Sequence, residues 1–86
     1  MPHFVNRIQT EQGTLNFYFN RIYTVGGIKY HVSVVNEKLS HYFMMQDGGE
    51  RWDFTDIKIL PQWIIKLRAK LETAINNHLN EHPDPV

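Results

Sequence analysis

The stretch Thr14-Leu15-Asn16-Phe17-Tyr18-Phe19-Asn20-Arg21-Ile22-Tyr23-Thr24-Val25-Gly26-Gly27-Ile28-Lys29-Tyr30-His31-Val32-Ser33-Val34-Val35 decides the fold. Leu15, Phe17 and Phe19 alternate with Asn16, Tyr18 and Asn20, and a period of two over this length marks a half-buried strand. The alternation runs to Val25. Gly26-Gly27 then predicts a two-residue hairpin, because the tight primed turns need positive φ. The return strand, Ile28 to Val35, sets Ile28, Tyr30, Val32 and Val34 against Lys29, His31 and Ser33. A Gly-Gly loop places Val25 opposite Ile28, Tyr23 opposite Tyr30 and Phe19 opposite Val34. Both apolar rows then share one face. Arg21 falls on that face opposite Val32 and is expected at an edge, or with its guanidinium snorkelled outward.

Outward from this hairpin the pattern continues. Residues 3–10 are a candidate first strand with Phe4 and Ile8 on one side, closed by a turn at Glu11-Gln12-Gly13. Asn36-Glu37-Lys38 predicts another turn. Leu39 to Gln46 follows, with His41, Phe43 and Met45 inward and Tyr42 and Met44 outward. Asp47-Gly48-Gly49 leads to a strand over Glu50 to Thr55 carrying Trp52 and Phe54 inward. At Pro61 the period changes. Ile64, Leu67, Leu71, Ala74, Ile75 and His78 fall on one helical stripe, flanked by Trp63, and Pro61 suits the first helical position. Pro83 and Pro85 stop the helix. The expected fold is therefore α+β: four or five antiparallel strands in a meander packed against one long C-terminal helix. All 86 residues form a single domain, with the sheet over 3–55, the helix over 61–81 and a flexible tail over 82–86.

Composition narrows the function classes. A chain of 86 residues holds one core and buries only about 60–65% of its unfolded surface. Nine basic residues balance nine acidic ones. This argues against a domain built around nucleic-acid phosphates and fits one that self-associates or has a partner. Without cysteine there is no disulfide or thiolate chemistry, which favours a reducing compartment. The first residues lack the apolar core of a signal peptide, and no apolar run reaches the roughly 20 residues of a membrane helix. A cytoplasmic location with no membrane contact is expected.

No catalytic constellation stands out. His78 and His82 are spaced to share a helix face, but a zinc site needs more ligands than Glu81 and a distant His3 offer. No metal or other cofactor is therefore expected. His78 is expected to be a helix-terminal histidine favoured by the macrodipole. His41 should be partly buried and hydrogen-bonded, and His31 should point away from it. Glu50, Asp53 and Asp56 lie at a turn and a strand end, where carboxylates solvate rather than catalyse. The chain is expected not to be an enzyme.

The outer sheet face is the candidate site. Tyr18, Ile22, Lys29, His31, Tyr42, Met44 and Arg51 should project from it. The leading expectation is a self-associating, homodimeric interaction face. The alternative is a single-stranded nucleic-acid surface, where aromatics stack bases and cations track phosphates. A plain solvent face is the third possibility, since Tyr and Lys are ordinary strand residues. Lys66, Arg68 and Lys70 make a basic cluster on the helix, against the macrodipole preference, which is expected to form a solvated face or else to bind a partner.

The order of elements, with the hairpin Tyr23 to Val34 and a helix opening at Leu60-Pro61-Gln62-Trp63, resembles the whirly and Pur-alpha type single-stranded nucleic-acid-binding domains. The resemblance covers about residues 14–80. It implies a helix packed on one face of a curved sheet, association of two units, and nucleic acid on the exposed face met by Tyr18, Lys29, His31 and Tyr42. The Gly-turned meander followed by Pro61-Gln62-Trp63-Ile64 also resembles small bacterial proteins, which implies a fold and no particular activity.

Overall fold

The computed structural model describes residues 3–82. It contains five strands: β1 (His3–Thr10), β2 (Gly13–Thr24), β3 (Gly27–Asn36), β4 (Leu39–Asp47) and β5 (Trp52–Phe54). Two helices follow, α1 (Gln62–Ile65) and α2 (Arg68–Glu81). The strands form one antiparallel sheet in the order β1-β2-β3-β4-β5. The expected α+β meander is present, and the doubtful first strand is a full member of it. Of the tail expected over 82–86, His82 is held at its carbonyl by Arg21, and residues 83–86 lie outside the described residues.

One face of the sheet carries the core. Phe17, Phe19, Tyr30, Val32, Val34, Phe43, Met45, Trp52 and Phe54 meet Ile64, Leu67, Leu71, Ala74 and Ile75 from the helices. Phe4 stacks on Phe19 with ring centroids 4.5 Å apart, and Tyr30 meets Trp52 edge-on at 5.4 Å.

The central hairpin departs from its expected register. Thr24 pairs with Gly27, so the loop is Val25-Gly26, one residue earlier than expected. Phe19 faces Val32 rather than Val34, Tyr23 faces Ile28 and Arg21 faces Tyr30. The whole ladder is slipped by two, which keeps every side chain on its expected face. Val25 sits on the exposed loop rather than in the apolar row. The cause is a threonine. Thr24 donates its hydroxyl to the Gly27 carbonyl at 2.8 Å, and Gly27 takes the positive φ of 114° after the loop. The first hairpin repeats this chemistry: Thr10 donates to the Gly13 carbonyl at 2.7 Å, and Gly13 has φ 102°. Thr-x-x-Gly, not Gly-Gly, sets both turns. The third hairpin is different, since Glu37 and Lys38 both hold positive φ, 50° and 70°, without glycine.

The helical segment is also broken where one rod was expected. Pro61 is the N-cap of α1, one residue before the first helical position. Leu67 breaks the rod, with φ −89° and ψ 2°, and its N–H bonds the Ile64 carbonyl in a tighter i→i−3 turn. No proline or glycine marks this break. It falls where Ile64, Leu67 and Leu71 all enter the core and Arg68 engages the sheet edge. The fifth strand is shorter than expected and leaves Arg51 outside it.

Candidate functional site

The helices cover one face of the sheet and leave the other open. Pairing arranges the open-face side chains in cross-strand rows. Val5, Tyr18, Ser33 and Tyr42 form one row, and His3, Asn20, His31 and Met44 the next. Beyond these, Ile22, Lys29, Gln46 and Asp53 make a third row. On the other side Arg7 lies opposite Asn16, and Val35 opposite Ser40. Val5, Tyr18, Val35 and Tyr42 are large apolar groups exposed by about half or more. Ile22, Lys29, His31 and Met44 are half-buried among their neighbours. The two central rows carry no Asp, Glu, Lys or Arg. The formal charges sit in the flanking rows, as Arg7, Lys29 and Asp53.

Six of the seven expected face residues thus share one surface. His31 and Tyr42 stack nearly parallel with centroids 6.2 Å apart. The seventh, Arg51, sits just before β5 and pairs with Asp53 at 3.8 Å across an exposed surface. Such a pair contributes little to stability, and it partly neutralises Arg51 as an anion contact. Val5, Arg7 and Val35 belong to the face and were missed. The alternation of Val5 and Arg7 with Phe4, Asn6 and Ile8 in β1 carried that signal.

The face is not flat. One hollow of about 340 Å³ is lined by Arg7, Asn16, Tyr18 and Val35. A second of about 190 Å³ lies between Tyr18 and His31, above Ser33 and Asn20. A third of about 220 Å³ lies between His31, Tyr42, Met44 and Ile59. Tyr18 separates the first two and His31 the last two. The smaller pair falls below the roughly 300–1,000 Å³ of a small-molecule pocket; each suits one side chain or one planar ring.

A second constellation lies on the covered side. Arg21 is only 1% exposed, not snorkelled as expected. Its Nε donates to the Tyr30 hydroxyl at 3.0 Å, and its other nitrogen donates to the His82 carbonyl at 2.6 Å and approaches His78 Nδ1 at 3.3 Å. The guanidinium thus takes the carbonyl of His82, the C-cap of α2, at the helix end where a cation is favoured. Burial opposes its charge, but hydrogen bonding with Tyr23 and Tyr30 outweighs it and raises the pKa. A guanidinium can only donate, so His78 Nδ1 must accept and the ring proton sits on Nε2. Burial, then His82 and Arg21, hold the His78 pKa below the ordinary imidazole value, against the opposing pull of Glu81. His78 is therefore a neutral acceptor stacked on Phe4 at 4.1 Å, not a macrodipole cation. Its apolar-stripe position was legible; its partner across 57 residues was not.

The remaining candidates resolve into structural roles. Lys66 pairs with Glu11 at 2.9 Å and Lys70 donates to the Gln9 carbonyl at 3.0 Å. Arg68 donates to the Trp52 carbonyl at 2.7 Å while Glu72 accepts from the Trp52 N–H at 2.7 Å. The helical basic cluster therefore ties the helix to three places on the sheet. Asp53 accepts from the N–H of Phe54 and Asp56 from that of Lys58. His41 packs edge-on against Trp63 at 5.6 Å. Among the described residues no group of three or more His, Cys, Asp or Glu is placed to hold a metal ion, and no helix is long and apolar enough to cross a membrane. No family model, curated protein or solved structure matches the chain.

Proposed function

We propose that this chain is a non-catalytic interaction module that self-associates through the open face of its sheet. The observation that carries this is the distribution of charge on that face. The two central rows hold Val5, Tyr18, Tyr42 and Met44 without a formal charge, while Arg7, Lys29 and Asp53 lie outside them. A protein interface has this anatomy: charge is depleted at the centre, Tyr and Met are enriched there, and polar groups form the rim. Two copies laid face to face bury the central rows and leave their cations in water. A reducing, cytoplasmic setting accords with the lack of cysteine.

One observation favours a second occupant, a single-stranded nucleic acid. The three hollows are divided by the rings of Tyr18 and His31, with Tyr42 stacked on His31 beyond. Successive planar bases could seat in them while Arg7 and Lys29 meet phosphates.

Sedimentation equilibrium separates the two. Self-association through the face gives a salt-tolerant dimer that Tyr18→Glu or Ile22→Glu dissociates. A chain that stays monomeric at high concentration refutes it. Retention on oligo-dT that fades with salt and disappears in the Arg7→Glu, Lys29→Glu double variant would instead support the nucleic-acid occupant.

A further inference from the structure

The two edges of the sheet are treated differently. Along an antiparallel strand, successive residues direct their N–H and C=O groups alternately to one side and the other. At the β5 edge the outward groups of Trp52 are both taken: Glu72 accepts its N–H and Arg68 bonds its carbonyl. At the β1 edge the parity is fixed by the closing pair Thr10 and Gly13, which flanks a two-residue loop and so must bond each other. Thr10, Ile8, Asn6 and Phe4 therefore bond β2, whereas Gln9, Arg7 and Val5 face outward. Lys70 on the Gln9 carbonyl agrees with this parity. Val5 and Arg7 remain, with their amides and carbonyls directed away from the sheet and, among the described residues, no bond from another element to them.

A groove runs along this edge. Asn6, Arg7, Ile8 and Gln9 form one wall and Lys70, Thr73, Ala74 and Asn77 of α2 the other, around a volume of about 420 Å³. Its only ionisable linings are Arg7 and Lys70, both cationic. The edge from Val5 to Gln9 spans about 14 Å at the usual rise per residue.

We infer that the β1 edge accepts an extended, acidic peptide segment as a sixth strand, bonded to the main chain of Val5 and Arg7 and held by Arg7 and Lys70 through its carboxylates. Main-chain pairing supplies binding, and the side-chain charges select the sequence. A second copy of this chain fits the edge less well. The β1 strand of a second copy, His3–Thr10, holds no carboxylate to meet Arg7 and Lys70. This edge borders the open face, with which it shares the side chains of Val5 and Arg7, but its main-chain pairing does not depend on what occupies that face.

The test uses a fluorescein-labelled, N-acetylated hexapeptide with a glutamate pair at each end and two central valines, so that carboxylates lie on both faces of the added strand, followed by fluorescence anisotropy. Two controls are its lysine counterpart and the acidic peptide with proline at a central valine. The acidic peptide should saturate, weaken with salt, and outbind both controls at least tenfold. Val5→Pro removes an edge-facing N–H that the ladder does not use, so the fold persists, and binding should fall at least tenfold while Val5→Ala leaves it unchanged. Arg7→Glu should weaken binding as strongly. Should Val5→Pro fail to give a native circular dichroism spectrum, Arg7→Glu and the proline peptide decide. Equal binding of the lysine peptide, undiminished binding by Val5→Pro, or no saturation overturns the inference. So does a dimer that Val5→Pro splits and Tyr18→Glu does not, because the edge would then belong to a second copy.

Discussion

Acid should loosen this fold through His78, and the sign follows from its hydrogen bonds. In the folded chain Nδ1 faces two donors, the Arg21 guanidinium at 3.3 Å and the Tyr30 hydroxyl at 3.5 Å, so a proton there meets a cation. The folded pKa lies below the ordinary imidazole value, through burial first and then through His82 and Arg21. The unfolded chain titrates at about 6.5. Above it neither state holds the proton, and stability is at its full value. As pH falls through it the unfolded chain takes up the proton first, so stability declines until the folded pKa is reached and is constant below it. One proton is worth at most about 1.4 kcal/mol per pH unit. For a domain of this size total stability is on the order of 4–13 kcal/mol, so the loss is readily measured. The assay is the urea midpoint at pH 7.5 and 5.5 for the wild type and for His78→Gln, whose amide oxygen still accepts from Arg21 but does not titrate. The other four histidines are present in both proteins, so the difference between the two pH dependences belongs to His78. The wild type should lose more stability than the variant over this interval. Equal losses, or a greater loss in the variant, would refute the neutral-acceptor role.

The backbone and the sheet edge give two further expectations. Lys38 has φ 70°, a conformation that costs a side-chain-bearing residue roughly 1–2 kcal/mol. Lys38→Gly should raise the urea stability by about 0.5–1 kcal/mol after the extra unfolded-chain entropy of glycine is deducted. The Trp52 amide has Glu72 as its acceptor instead of a neighbouring strand. Glu72→Ala should therefore speed hydrogen exchange at Trp52 selectively and cost about 1–2 kcal/mol, since a bond to a charged group is lost at a partly exposed site. Unchanged exchange at Trp52 would show that the edge is sealed by something else.

Most of the fold was legible because it rests on two periods, and each is a local property of the chain. Alternation in β2 and β3 placed Phe17, Phe19, Val32 and Val34 on the core face even though the register was off, since a slip of two conserves the face. The slip arose because glycine's conformational freedom was weighed without the threonine hydroxyl that decides which glycine is used. The break at Leu67 was not legible, because no residue there disfavours helix and the cause is tertiary. At the candidate site Tyr18, Ile22, Lys29, His31, Tyr42 and Met44 followed from alternation alone, and so could Val5 and Arg7. Arg21 is the instructive miss. A lone cation in an apolar row was expected to escape to water, but the partners that hold it inside, His78 and His82, come from the far end of the chain. The partners of the charged residues on the helix were equally out of reach: Lys66, Arg68 and Lys70 show no attachment to the sheet until the groups they bind are in view.

That the uncovered sheet surface is where the molecule meets its own copy can be tested residue by residue. A dilution series of amide NMR spectra reports which surface changes its environment as copies associate. Concentration-dependent shifts should cluster at Val5, Tyr18, Ser33, His31 and Tyr42 and leave Ala69, Thr73 and Asn76 on the outside of α2 unmoved. Shifts confined to the helix, or none at any concentration, would contradict the assignment.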